Sequence, residues 1–194
     1  MEFGFATVDA ILSRINMIRA DAGTAFAARL KHLQRLGFPE GVNTGRGHAA
    51  VYNIGHLCDL NSALQLIQLG YLPERAIVSV RKNDNLKRAY YLVAHSLEMP
   101  SPKRYVVGMT PSALAPLGID ALTEIENLLI VSDVADLSEY VKTSTMFRYA
   151  YFDLTATVDL IALHLEQLGI STRYEALSEI RKWGATYSGY DPEA

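Results

Sequence analysis

Residues 35–52, with the sequence RLGFPEGVNTGRGHAAVY, interrupt an N-terminal region that is otherwise helical in pattern. The stretch contains four glycines and one proline, which weaken or break a helix, so the runs on either side must form separate elements. Three interpretations fit it: a phosphate-binding loop, a plain surface connection, or the wing of a DNA-binding domain. Both the fold and the function depend on which is correct.

Apolar residues recur at three- and four-residue steps on both sides of this stretch, which is typical of amphipathic helices. Before it, residues 6–21 and 24–38 predict two helices, with Gly37 ending the second. After it, HAAVYNI predicts a short strand, and further helices are predicted on either side of a break at Gly70. The apolar stripes of the first two helices consist of Val8, Ile11, Leu12, Ile15, Ile18, Phe26, Leu30, Leu33 and Leu36.

The phosphate-loop interpretation is the weakest of the three. A nucleotide-binding P-loop requires a strand, then the motif GxxxxGK[ST], then a helix. Residues 35–52 instead follow a predicted helix, precede a predicted strand and lack that lysine. The order helix, turn, helix, glycine-rich hairpin, helix is that of a winged helix-turn-helix, so the wing interpretation is favoured.

Charge is distributed unevenly along the 194 residues. Residues 1–104 carry a net charge of +5 and residues 105–194 a net charge of -8, within a total of -3. A basic half joined to an acidic half is typical of a polyanion-binding module attached to a second unit, although charge also varies by chance between the halves of many chains. No apolar run of about 18 residues is present, so no membrane span is expected.

The N-terminus has neither the basic nor the apolar region of a signal peptide, and a cytoplasmic location is expected. Cys58 is the single cysteine, which excludes an internal disulfide and any zinc site with two or more cysteine ligands. No histidine pair has the spacing of a helical metal site, so we expect no metal and no cofactor.

The segment MPSPKR at residues 99–104 has the composition of a linker, and the charge changes sign there. Beyond it, RYVVGM, NLLIVSDV and FRYAYFDL predict strands among further helical runs. The sequence therefore predicts an α+β protein, with a winged helix-turn-helix DNA-binding domain at residues 1–98 and a small mixed α/β domain at residues 105–194. We find no internal repeat.

Basic residues lie mostly off the apolar stripe of the second predicted helix, where they could meet phosphates and base edges in a major groove. The hairpin tip NTGRGH would reach the flanking backbone, with Arg46 held between two glycines. For each residue the alternative is an ordinary solvated face. The predicted contacts with double-stranded DNA are Arg29, Lys31, His32, Arg35, Thr44, Arg46 and His48, with Arg19 on the preceding segment.

The run RLKHLQRLGF, the wing residues Gly45, Arg46 and Tyr52, and the closing QLGYLPERAI together resemble the DNA-binding domain of the MerR family of transcription regulators. The resemblance covers about residues 7–77 and includes the spacing from Tyr52 to Gly70. It implies a winged helix-turn-helix that regulates transcription, in which Lys31 takes the place of the family's helix-borne arginine and Arg46 that of its wing arginine. It does not extend to residues 105–194.

The helical run TATVDLIALHLEQLG has apolar residues over much of its circumference, which indicates either deep burial or an interface between subunits. Because winged helix-turn-helix regulators usually bind paired half-sites, we expect a homodimer that uses this surface. The predicted dimerisation residues are Val158, Ile161, Leu165 and Leu168.

The aspartates and glutamates between positions 105 and 194 have no spacing typical of a catalytic or metal site. We therefore expect no catalytic residue and no enzymatic activity. The main alternative function is a protein-interaction adaptor or anti-regulator built on a winged-helix fold. A small-molecule effector of residues 105–194 is a third possibility.

Overall fold

The computed structural model describes residues 1–42, 49–109, 129–143 and 149–187. Its strands are β1 (Glu2–Gly4), β2 (Val51–Asn53), β3 (Tyr105–Met109), β4 (Leu129–Asp133) and β5 (Ala150–Asp153). Its helices are α1 (Phe5–Ile15), α2 (Gly23–Arg35), α3 (Ile54–Gln68), α4 (Pro73–Lys82), α5 (Asp84–Leu97), α6 (Val134–Thr143), α7 (Leu154–Gln167) and α8 (Arg173–Ala185), with a 3-10 turn at Ala20–Ala22. The mixed α+β class that the sequence predicts is confirmed.

Helix α2 forms where the apolar stripe predicts it, with Phe26, Leu30 and Leu33 buried on one side. It begins at Gly23, one residue before the predicted helix of residues 24–38, and Ala22 is the N-cap. The connection from α1 to α2 covers residues 16–22, which is longer than the three- or four-residue turn of a typical helix-turn-helix.

Three helices end in the same way, at a Leu-Gly pair followed by an apolar residue. At the end of α2, the amide of Phe38 donates to the carbonyl of Leu33 at 3.0 Å, and Gly37 has a φ of +73°. This Schellman arrangement requires a left-handed backbone, which favours glycine. The ends of α3 at Gly70 and of α7 at Gly169 repeat it. The helix ends predicted at Gly37 and Gly70 are therefore confirmed.

Strand β2 falls within the predicted strand HAAVYNI, and its observed partner is the N-terminal strand β1. The two strands are antiparallel, with Phe3 opposite Tyr52, and both of these side chains are buried. Residues 43–48, which include the tip of the predicted wing, lie outside the described residues. The pairing anchors the return strand from residues 35–52 to the chain's first residues.

A second antiparallel sheet has the strand order β4-β3-β5. Its strands lie within the three segments RYVVGM, NLLIVSDV and FRYAYFDL, which confirms those strand predictions. Strand β3 is central, with β4 and β5 as its neighbours in the sheet. Helices α5 and α7 pack on β3, and its Val107 is fully buried.

The strand–helix–helix order occurs three times among the described residues, as β1-α1-α2, β2-α3-α4 and β5-α7-α8. The units β2-α3-α4 and β5-α7-α8 also share a polar residue that caps the first helix. In the first of these two units, the side chain of Asn53 caps α3 by accepting from the amide of His56 at 2.9 Å. In the second, Asp153 caps α7 by accepting from the amide of Ala156 at 2.8 Å. These two units therefore share their N-caps and their helix ends, and the expectation of no repeat in the sequence stays a prediction.

One hydrophobic cluster of the described residues runs from Phe3 to Ile180 and includes both halves of the chain. Helix α8 packs on α5 and α3, and Arg181 pairs with Glu98 at 2.6 Å across that contact. The predicted linker is folded back, since the amide of Lys103 donates to the hydroxyl of Ser96 at 2.7 Å. Residues 99–104 thus do not separate two cores, and the functional division at that point stays a prediction.

Gly184 allows α8 to approach α5 closely, because a Cβ atom there would lie 2.7 Å from the backbone nitrogen of Tyr91. We expect Gly184→Ala to lower the free energy of unfolding by about 2 kcal/mol, since two helix backbones would have to separate. Urea denaturation measures the change. Gly23→Ala is the control, because Gly23 has a helical φ of -57° and no atom within 4 Å of the added Cβ. Equal stabilities for the two variants would contradict this packing.

Candidate nucleic-acid interface

Helix α2, with the sequence GTAFAARLKHLQR, contains no aspartate or glutamate. Arg29, Lys31 and Arg35 are exposed on it, and His32 is half-buried. We refer to these four residues as the basic face of α2. Each of them lies three or four positions from another, and residues at that spacing are neighbours on a helix surface. The four residues therefore form one continuous positive surface opposite and beside the buried Phe26 stripe.

Two of the three cations on this face have no partner among the described residues, and the third has a weak one. Arg29 and Arg35 form no ion pair or hydrogen bond with any described residue. The Lys31 ammonium lies over the ring of Phe5 at 5.5 Å from its centroid. Burial raises the pKa of the nearby Asp9 carboxyl, and the attraction of Lys31 partly opposes that rise. Three cationic side chains of α2 thus remain directed to solvent.

Arg19 is separate from the basic face. Its guanidinium makes two hydrogen bonds to the carboxylate of Asp21, at 3.0 and 2.8 Å, and both side chains are exposed. The pair neutralises the charge predicted to contact DNA at that position. Thr44, Arg46 and His48, the predicted contacts of the wing, lie outside the described residues.

The two ends of the connection between α2 and β2 are fixed by long-range contacts. The Gln34 side chain donates to the hydroxyl of Tyr52, which joins α2 to β2 directly. Burial raises the pKa of Tyr52 to about 12, so this hydroxyl stays protonated at neutral pH. Arg81 on α4 donates to the carbonyl of Gly37 at 2.5 Å and pairs with Glu40 at 3.0 Å. Sequence reasoning assigned no role to Gln34 and Arg81, whose partners are 18 and 44 residues away.

The predicted dimerisation surface is used inside the chain. Val158, Ile161 and Leu165 are fully buried, and α7 packs against α1, α5, α8 and β3. Leu168 is half-buried and packs against the same hydrophobic cluster. The burial of Val158, Ile161 and Leu165 within one chain favours the alternative of deep burial for these three residues. Their role in a subunit interface, and that of the half-buried Leu168, stays a prediction. Among the large apolar residues of α7, Leu160 has the largest exposed fraction, at 37%.

A cleft of about 380 Å³ lies between α2 and α3, with Phe26, Leu33, Leu64 and Ile67 as its walls. Two members of the basic face, Arg29 and His32, also line it. We call this space the α2–α3 cleft.

A second, polar cavity of about 320 Å³ lies on the other side of α3 and includes Asp59, Lys87 and Trp183. Burial raises the pKa of Asp59 to about 7; Lys87 opposes the rise and Glu40 adds to it. Burial lowers the pKa of the neighbouring His56, against a hydrogen bond to the Glu40 backbone. Asp59 forms no hydrogen bond with the described residues. At neutral pH the half-buried Asp59 carboxyl is therefore partly protonated.

Replacing Asp59 with asparagine should stabilise the protein at pH 8 by roughly 2 kcal/mol and change little at pH 4. Because the pKa of Asp59 is raised above 3.8 on folding, the folded state holds a proton that the unfolded state releases, so stability falls as pH rises from about 4 through about 7. The variant lacks this loss. Urea denaturation of both proteins between pH 4 and pH 8 gives the difference, in which all other titrating groups cancel. A gain that is the same at both pH values would contradict the raised pKa.

Cys58 lies next to Asp59 but faces the core. It is free and fully buried, and burial raises the pKa of its thiol well above the usual value, so the thiol is protonated and unreactive. The described residues contain no group of three His, Cys, Asp or Glu side chains placed to hold a metal ion. Among the helices that the structure describes, none has both the length and the apolar character needed to cross a membrane.

Comparison of the chain with models of known protein families, with curated proteins and with solved structures found no match. The basic face, the α2–α3 cleft and the polar cavity are therefore interpreted from their own geometry and chemistry.

Proposed function

We propose that the chain is a transcription regulator that binds double-stranded DNA through the basic face of α2. The observation that supports this most directly is a helix without a carboxylate whose solvent side carries the exposed Arg29, Lys31 and Arg35. With 13 residues at 1.5 Å each, α2 is about 20 Å long, and a major groove about 12 Å wide admits one helix. Lysine and arginine on such a helix reach phosphates and base edges together.

The wing is the second part of the proposal. Residues 35–52 leave the end of α2 and return in β2, and both ends of the segment are held by the Gln34–Tyr52 and Arg81–Glu40 contacts. A segment fixed at both ends beside the basic face is suited to carry Thr44, Arg46 and His48 toward the flanking DNA backbone. The MerR resemblance supports the same arrangement. The long connection at residues 16–22 means that the proposal depends on the face of α2 and not on a standard helix-turn-helix angle.

The binding assay is fluorescence anisotropy of a labelled duplex with the full chain at about 50 and 200 mM salt. A protein that neutralises several phosphates loses affinity steeply as salt rises. The plot of log affinity against log salt concentration falls with a slope of about 0.9 per phosphate contacted. We expect a slope of at least about 3, from Arg29, Lys31 and Arg35. No binding above that of an acidic control protein of similar pI at 50 mM salt would reject the function and favour the protein-interaction adaptor, which predicts a protein partner and no salt-dependent DNA affinity.

A homodimer remains part of the proposal because paired half-sites are usual for such regulators. The burial of Val158, Ile161 and Leu165 within one chain favours a surface other than these residues. Light scattering of the chain alone and of its DNA complex measures the stoichiometry, and one chain per bound duplex would reject the dimer while leaving DNA binding intact.

A further inference from the structure

The α2–α3 cleft has the size and lining of a small-ligand site. Its volume of about 380 Å³ lies within the range of about 300–1,000 Å³ that is usual for ligand pockets. Phe26, Leu33 and Leu64 are buried, and with the half-buried Ile67 they form apolar walls from two helices. A ligand placed there would exchange water for apolar side chains over most of its body.

The polar groups of the cleft are positive or neutral. None of the described residues that line it carries a carboxylate. Two of the polar residues already bond to each other, since the Gln68 amide donates to the Asn16 side-chain oxygen. The Asn16 amide also donates to the carbonyl of Leu12 at 2.8 Å. Arg29 and His32 are left, and neither has a hydrogen bond or ion pair with a described residue.

We propose that the α2–α3 cleft binds a small hydrophobic acid, whose apolar body fills the space between α2 and α3 and whose anionic group meets Arg29 and His32. An apolar cavity bordered by an unpaired guanidinium complements an amphipathic anion, because a charge-assisted hydrogen bond satisfies the one strong donor while the walls cover the apolar body. A neutral apolar molecule would leave that donor unused, and a fully polar anion would not cover the walls.

The acid would also regulate DNA binding, a consequence that rests on the proposed function. Arg29 and His32 belong both to the cleft and to the basic face of α2. An anion held by Arg29 cancels a charge that would otherwise meet a phosphate, so ligand and DNA oppose each other. By linkage, bound DNA must lower the affinity for the acid by the same factor as the bound acid lowers the affinity for DNA.

The test uses anilinonaphthalene sulfonate, an anionic aromatic probe whose fluorescence rises in apolar sites, with the full chain and no DNA. The neutral analogue N-phenyl-1-naphthylamine reports the apolar part alone. We expect Arg29→Gln to lower the affinity for the anionic probe about tenfold and to leave the affinity for the neutral probe unchanged. Arg35→Gln, on the same helix but outside the cleft, should change neither. Ile67→Trp should fill the space and weaken both probes.

Competition by 2-naphthoate and by decanoate then distinguishes aromatic from aliphatic acids, and displacement by either supports the site. Displacement by neither, or equal effects of Arg29→Gln and Arg35→Gln on the anionic probe, would overturn it. A cooperative thermal unfolding transition for each variant excludes binding to a loosened core. The probe is measured without DNA, so the two proposals are tested separately. If the probe does not bind the cleft, the proposed DNA binding is unaffected, and if DNA does not bind, the cleft can still bind acids.

Discussion

Replacing Lys31 and Arg35 together with glutamine should weaken the binding of duplex DNA by roughly 30- to 100-fold at about 100 mM salt. Both side chains are exposed on the basic face of α2 and neither lines the α2–α3 cleft. Each lost phosphate contact removes about 0.9 from the slope of log affinity against log salt, so the slope should fall by about 2. Fluorescence anisotropy with one duplex over a salt series measures both quantities.

The matched control is Lys82→Gln with Arg88→Gln, which makes the same change in net charge on α4 and α5. Both of these residues are exposed as well. If DNA binds the basic face of α2, the control variant loses only a small long-range attraction. Its affinity for DNA should then fall by no more than about threefold. Equal losses for the two double variants would mean that the chain attracts DNA by net charge alone, and the proposed interface would be wrong.

Local periodicity accounts for most of the helices. The stripe of Phe26, Leu30 and Leu33 predicts α2 because three residues at helical spacing must share a side, and Gly37 predicts its end because that position needs a left-handed backbone. The basic face follows from the same periodicity, since residues off the apolar stripe of a surface helix face water. These features depend on residues within one or two helical turns of each other.

Features that depend on distant partners could not be predicted in the same way. Strand β1 has three residues, too few for a periodic pattern, and its partner β2 is about 50 positions away. Burial in the polar cavity raises the pKa of Asp59, and Lys87, which opposes the rise, comes from another helix, as does Trp183. The stripe on α7 was visible in the sequence, but periodicity alone does not tell an intramolecular core from a subunit interface. The packing of α1, α5 and α8 around it favours the intramolecular core.

Replacing Ile161 with alanine should lower the free energy of unfolding by about 3 kcal/mol, at every protein concentration. Ile161 is fully buried on α7. Removing three methyl or methylene groups from a packed core costs the transfer free energy of those groups and leaves a cavity. Because the contacts are within one chain, dilution should not change the loss, whereas an interface residue would act through the monomer–dimer equilibrium. Urea denaturation followed by circular dichroism at about 1 and 50 μM protein measures this.

Leu160→Ala is the control on the adjacent position of the same helix. Leu160 is 37% exposed, so the same kind of truncation should cost well under half as much as at Ile161. A loss at Ile161 that grows on dilution, together with a smaller particle mass for the variant in light scattering, would show that α7 contributes to a subunit interface after all. If the loss of stability at Ile161 does not depend on protein concentration, any homodimer contact must lie on a surface other than α7.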